Sequence, residues 1–294
     1  MDVGTYYIIR CVSYFFWHKE KNFKPFWFIS FIHNKYILCP IVVIMYILFC
    51  KYGNNILMKN RKALNIKFIL LVWNFLLSIF NFIVFIKLLP VFSYIIYNYT
   101  LNGLLIIPPI YLYGYGAVGL WICLFILSKY LELADTLFLV LRNKKINLLH
   151  WFHHSTVLLY TWDTYYMEMP AGFTFILINA FVHTIMYGYY FFSTLFSKPL
   201  RCNVYVTILQ ITQMLIGIFI TMYCLFITIK YDYSSSWELS QVNKLKQNFS
   251  FKYGHYVSKK NAIYAILMYV AYLCLFAKYF IQRYMNNNIE EKKK

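Results

Sequence analysis

Three histidines, His150, His153 and His154, stand in the pattern HxxHH inside an otherwise apolar stretch. At about 100° per residue, positions i, i+3 and i+4 share one helix face, so the three imidazoles can converge on one point. Imidazoles so placed can ligate a metal, move a proton or attack a carbonyl. Upstream, KYLELADT at 129–136 sets Lys129, Glu132 and Asp135 within a second apolar run. Their i, i+3, i+6 spacing makes a fan of about 120° on one side of a helix. A lysine beside two carboxylates lets the charges compensate, which lowers the cost of burial. Such a group either serves a site or forms an internal ion pair that locks helix packing. Asn179, His183, Tyr187 and Tyr190 form a third polar stripe, and Thr207, Gln210 and Gln213 a fourth. The two glutamines also fit a plainer role, tying helices together by hydrogen bonds.

The elements that must position these residues are membrane spans. The chain has 294 residues, 61% hydrophobic and only 13% charged; a soluble domain carries about a quarter charged. Seven stretches are long and apolar enough to cross about 30 Å of hydrocarbon: 36–52, 68–89, 117–140, 149–166, 171–193, 203–229 and 262–282. The fold class is therefore all-α, a polytopic membrane bundle. The expected organisation is an N-terminal lumenal segment at 1–35, a transmembrane domain at 36–283 and a basic tail at 284–294.

A net charge of +18 invites a nucleic-acid reading, but the placement of the charges excludes it. Lys59, Arg61, Lys62 and Lys67 follow the first span, Arg142, Lys144 and Lys145 the third, Lys198 and Arg201 the fifth, and Arg283 and Lys292 to Lys294 the last. The loops near 90–115 and 163–170 hold no Lys or Arg. The positive-inside rule then puts the C-terminus in the cytosol and the N-terminus in the lumen. Against that pattern, the first 35 residues carry five basic residues and 230–260 carry six. Sequons at Asn98 and Asn248 fall on the lumenal side. The seven cysteines form no close pair and behave as small packing residues. No signal-peptide pattern opens the chain, so insertion is expected to rely on the first span.

Four adjacent spans thus each turn a polar stripe inward. The simplest geometry is a polar cavity open to the basic side, continued into the membrane by apolar aromatic walls. That shape suits a ligand with a charged head and a long apolar tail.

At these motifs, KYLELADT (129–136), HWFHH (150–154), NAFVHTIMYGYY (179–190) and TILQITQ (207–213), the chain resembles the fatty acid elongases, the membrane-bound 3-ketoacyl-CoA synthases. The order and separation of the motifs match, the resemblance runs from about 58 to 283, and MKNRKALNIK (58–67) adds to it. LLHWFHHSTVLLYTW and ILQITQMLIG are most similar to the branch acting on saturated and mono-unsaturated acyl chains. The resemblance implies a seven-span endoplasmic reticulum protein with six spans around a substrate tunnel. It implies condensation of malonyl-CoA with a long-chain acyl-CoA, giving a 3-oxoacyl-CoA, CoA and CO2. The partners implied are these two substrates, membrane lipid, a ketoacyl reductase, a dehydratase and an enoyl reductase. A second copy of the chain is a further candidate partner; no tightly bound cofactor, metal or nucleic acid is expected.

No cysteine lies among the polar motifs, so an imidazole must carry any covalent step. His153 is the candidate nucleophile, His150 or His154 the orienting group or base, and His183 the group that polarises the thioester or relays a proton. Glu132 and Asp135 would fix the tautomers of the histidines. Arg142, Lys144, Lys145, Lys198 and Arg201 are candidates for the phosphates of CoA, and serve equally as topology signals near anionic headgroups. Three other readings compete. A membrane di-iron desaturase or hydroxylase also uses HxxHH, but His18, His33 and His255 lie outside the motifs and leave four histidines, too few for two irons. A zinc site from His150, His154 and a carboxylate is conceivable. A proton-coupled transporter also places such groups at membrane depth, but these spans lack the Gly/Pro-broken halves of many transporter sites.

Overall fold

The computed structural model describes residues 20, 23–24, 26–106, 116–167, 169–230 and 257–285. No strand occurs among them. Nine helices follow in order: α1 (Phe26–Asn34), α2 (Leu38–Leu57), α3 (Lys67–Ile106), α4 (Gly116–Leu131), α5 (Ala134–Leu141), α6 (Leu148–Tyr166), α7 (Pro170–Leu195), α8 (Asn203–Lys230) and α9 (Lys259–Phe280). A π turn at Ile281–Met285 closes the series.

Among the described residues, six stretches are long and apolar enough to cross a membrane: Leu38–Leu57, Lys67–Tyr97, Gly116–Leu141, Pro170–Leu195, Asn203–Thr228 and Lys259–Tyr284. They match six of the seven expected spans. The remaining one, α6, forms a helix of 19 residues, about 28 Å long. Its three histidines and Asp163 keep it below the apolarity of a span judged by composition. The bundle supplies the missing apolar surface, because α6 packs against α1, α2, α4 and α9.

Helix α7 lies at the centre: 67% of its span window is buried, against 17% for α2. It packs most extensively against α3, while α8 and α9 form a second antiparallel pair. Pro170 opens α7 at a position where its missing N–H costs nothing. Asn147 caps α6 by accepting a hydrogen bond from the His150 N–H at 2.7 Å, which fixes the start of the HxxHH turn. Phe68, Ile56 and other large apolar side chains face outward, as a hydrocarbon environment requires.

Two expectations are corrected. The region near 90–115 was expected as a loop, yet α3 continues to Ile106 with Pro90 inside it. The apolar sequence around Pro90 sustains the helix, and the proline removes only one hydrogen bond. Within the expected N-terminal segment 1–35, helix α1 packs on α6. The third apolar stretch is not one regular helix but α4 and α5, joined by a tight turn at Glu132–Leu133. There the N–H groups of Leu133, Asp135 and Thr136 donate to carbonyls three residues back, at 3.3, 3.1 and 3.1 Å. Such 3-10 tightening inside a helix changes where the following side chains point. Asn248 lies outside the described residues, as do 286–294 of the tail.

Candidate active site

The turn between α4 and α5 separates the acidic residues that the sequence put on one face. Lys129 donates to Glu132 Oε1 at 2.7 Å and to Asn179 Oδ1 at 3.1 Å. The lysine and glutamate side chains are each 1% exposed, and the ammonium also lies 4.2 Å from the Phe125 ring centroid. Burial this deep is tolerable because the ion pair, the amide and the ring together replace water. His183 brings Nδ1 to 3.8 Å from the same Glu132 oxygen. Both His183 Nδ1 and Glu132 Oε2 are buried without a hydrogen-bond partner. Asp135, past the turn, is held elsewhere: Trp73 Nε1 donates to Oδ1 at 2.6 Å and the Tyr187 hydroxyl to Oδ2 at 3.0 Å.

The HxxHH histidines gather as their spacing predicts. Ring centroids of His150 and His154 are 4.5 Å apart, and those of His153 and His154 5.4 Å. His150 Nε2 shares a 2.8 Å hydrogen bond with Thr136 Oγ1, which shares another of 2.8 Å with the Tyr46 hydroxyl. Among the described residues, neither Glu132 nor Asp135 hydrogen-bonds an HxxHH histidine, so the expected carboxylate–histidine pairs are replaced by this hydroxyl chain. Tyr272 of α9 covers His153, with centroids 4.9 Å apart. Its hydroxyl donates to the His153 carbonyl at 3.2 Å and shares a 2.6 Å bond with Thr156.

Beside these groups lies a cavity of about 1150 Å³. His150, His153, His154, His183, Asn179 and Asp135 line it, as do Tyr187, Tyr190, Gln210 and Gln213. Gln210 donates to the Met186 sulfur at 3.2 Å, which ties α8 to α7 while leaving the residue on the wall. Of the basic residues expected at the mouth, Arg142, Lys144 and Lys198 line the cavity. Lys145 and Arg201 are exposed and do not. Lys67 and Arg283 do line it and were not expected there. Lys67 is already engaged, donating to Ser197 Oγ at 2.8 Å and to the Leu195 carbonyl at 3.3 Å at the end of α7.

A second, much narrower space of about 40 Å³ meets the first at His153, Asn179, Gln213 and Met214. It follows α6 from His153 to Tyr165 and is walled by Phe125, Tyr160, Phe175 and Tyr269. Beyond it, Asp163 accepts from the Tyr36 hydroxyl at 2.9 Å and from Asn261 Nδ2 at 2.7 Å, joining the far ends of α6 and α9 to the turn before α2. Burial and the Asp163 carboxylate raise the Tyr36 phenol above its ordinary pKa.

Several contributors escaped the sequence reading: Trp73, Tyr46 and Tyr272, which look like any other aromatic of a span. Asn74, 7% exposed and on the cavity wall, did carry a signal, since an amide within an apolar span needs a partner or a cavity.

The sequence that builds this site is similar to those of named proteins. A Drosophila melanogaster protein named very long chain fatty acid elongase 6 is 31% identical over 238 residues, 80% of this chain and 68% of that protein. Human very long chain fatty acid elongase 3 is 30% identical over 280 residues, 94% of this chain and 91% of the relative. The Gallus gallus elongase 6 is 31% identical over 82% of this chain and 83% of its own. The sequence pattern of ELO, the GNS1/SUR4 family, matches residues 31–293. The cavity, its four histidines and the helices that carry them are thus those of a polytopic membrane protein that belongs to the ELO family of fatty acid elongases.

Proposed function

We propose that this chain performs the condensing step of fatty acid elongation: malonyl-CoA and an acyl-CoA give a 3-oxoacyl-CoA two carbons longer, with release of CoA and CO2. One observation carries the reading. A wide cavity with a basic mouth narrows into an aromatic channel at His153, so a nucleophilic imidazole stands where a charged head and an apolar tail would part.

In this reading the His153 imidazole attacks the thioester carbonyl, CoA leaves as the thiol, and the acyl group is held as an acyl-imidazole. Malonyl-CoA then loses CO2, its C2 carbon attacks the acyl carbonyl, and the imidazole is released. His150, held through Thr136 and Tyr46, and His154 orient or deprotonate the nucleophile. His183, its Nδ1 free of hydrogen bonds, polarises the carbonyl or relays a proton. Lys129 holds Glu132 and Asn179, Glu132 stands 3.8 Å from His183, and Asp135 fixes Tyr187 and Trp73 rather than a histidine. Arg142, Lys144, Lys198 and Arg283 meet the CoA phosphates. The narrow channel excludes water, which protects the acyl-imidazole and the carbanion.

The chain is thereby an acyltransferase of the endoplasmic reticulum membrane, N-terminus lumenal and C-terminus cytosolic, feeding a reductase, a dehydratase and a second reductase. A saturated or mono-unsaturated acyl-CoA is the substrate favoured by the HWFHH and ILQITQ surroundings. The test uses membranes holding the full chain, labelled malonyl-CoA, a panel of acyl-CoAs and no NADPH. A labelled 3-ketoacyl product that vanishes with His153→Ala is expected; no product from folded protein with any acyl-CoA would end the proposal.

A further inference from the structure

Tyr269 of α9 lines the channel that begins at His153. Its ring is 6% exposed, with centroids 5.4 Å from Phe175 and 6.5 Å from Tyr272. Behind it stands Gly217 of α8. A Cβ at that position would fall 2.6 Å from Tyr269 Cε1 and 2.7 Å from Cδ1 and Cζ. Carbon atoms do not approach so closely, so the ring is seated flush on bare backbone. Any side chain at 217 drives it off that seat. Helix α8 blocks retreat and two aromatic rings flank it, so the ring moves into the channel.

Depth matters as much as bore. Gln213 and Met214 line both cavity and channel. Gly217 is three residues further along α8, about 4.5 Å deeper. The channel holds about 40 Å³, room for no more than about three waters. At that bore, a displacement of one ring decides whether anything passes.

We propose that Tyr269, seated on Gly217, is the gauge that determines which acyl chains extend from the histidines into the channel. The inference rests on the condensing-enzyme reading, with the acyl tail threading the channel. Chains of a few carbons end above the ring, and every longer chain must pass it. The seat on Gly217 provides the clearance for that passage.

The full-length protein in membranes is assayed with labelled malonyl-CoA and acyl-CoAs from butyryl to stearoyl, as wild type, Gly217→Ala, Tyr269→Ala and the double variant. Gly217→Ala is expected to lower long-chain relative to short-chain condensation by about tenfold, the scale of discrimination one methyl group gives in a pocket. Tyr269→Ala in the same chain restores the long substrates. Tyr269→Ala alone admits methyl-branched chains that the wild type rejects. A wild-type chain-length profile in folded Gly217→Ala, or a loss that Tyr269→Ala fails to reverse, overturns the gauge. Where Gly217→Ala does not fold, the Tyr269→Ala profile decides, because that change removes bulk; a profile like wild type overturns the gauge equally. Wild type that condenses no acyl-CoA removes the condensing-enzyme reading and the gauge together. An active wild type with an insensitive Gly217→Ala removes the gauge alone.

Discussion

The two ends of α6 are built from opposite materials. At its start, His150, His153 and His154 share a broad space with amides and hydroxyls, the buried Lys129–Glu132 pair lying outside its lining. Toward its end, Tyr160 and Tyr165 line a channel closed in by Phe175 and Tyr269, and Asp163 and Asn261 knit the helix ends beyond it. Reactive groups at the first end are left under-bonded, as His183 Nδ1 and Glu132 Oε2 show. The far carboxylate, by contrast, accepts on both oxygens. The first end thus faces chemistry with unbonded atoms of α7 and of the α4–α5 turn, and the far end stability with a fully bonded carboxylate, although Trp162 Nε1 of α6 is unpartnered there.

Substitutions at each end should separate these two properties. His153→Ala is expected to lower condensation about ten-thousandfold, roughly 5.4 kcal/mol on the barrier, with the detergent-extracted protein melting as wild type. Retained turnover would move the reaction off that imidazole. Lys129→Ala strands the Glu132 charge in a dry site and should cost about 3–5 kcal/mol of stability, seen as a lower melting temperature and poor extraction. Wild-type melting would mean that the pair is solvated. Asn261→Ala removes a donor from Asp163 and should cost about 1–3 kcal/mol, while turnover per folded molecule stays constant. A fall in that turnover would show the far end taking part in the chemistry. Tyr46→Phe deletes one end of the hydroxyl chain to His150, worth about 1 kcal/mol; a several-fold loss of rate, unaccompanied by a change in melting, is the expected readout. Arg283→Ala should raise the KM for CoA substrates by no more than about threefold, since an exposed charge contributes under about 1 kcal/mol. Added salt should shrink even that difference.

The polar end was the more legible in sequence. Lys129, Glu132, Asp135 and the histidines stand out because ionisable groups are rare in apolar runs, and the helical period alone brought His150, His153 and His154 together. The partners were hidden for the opposite reason. Among 30 tyrosines and 28 phenylalanines, nothing marks Tyr46, Tyr272 or Phe175 as facing inward. The turn at Glu132–Leu133 carries no Gly or Pro, so the sequence offered no reason to split the acidic pair between two partners. Pro90 misled in the other direction, marking an end that the apolar surroundings override. The channel was foreseen as an apolar continuation, but its bore depends on how one ring meets one glycine, a matter of fractions of an ångström that composition does not encode.

The polarity of α6 has a consequence for how the protein is made. Among the described residues, six stretches have the length and apolar composition to pass from the translocon into lipid. Helix α6, with three histidines near one end and an aspartate near the other, cannot, since polar residues within a span oppose partitioning. It must instead be received by helices already made, since of its main packing partners α1, α2 and α4 precede it and α9 follows. The helix that bears the reactive imidazoles is therefore received largely by its predecessors, and a chain lacking α1 and α2 should expose it to glycosylation or proteolytic reporters that the intact bundle denies.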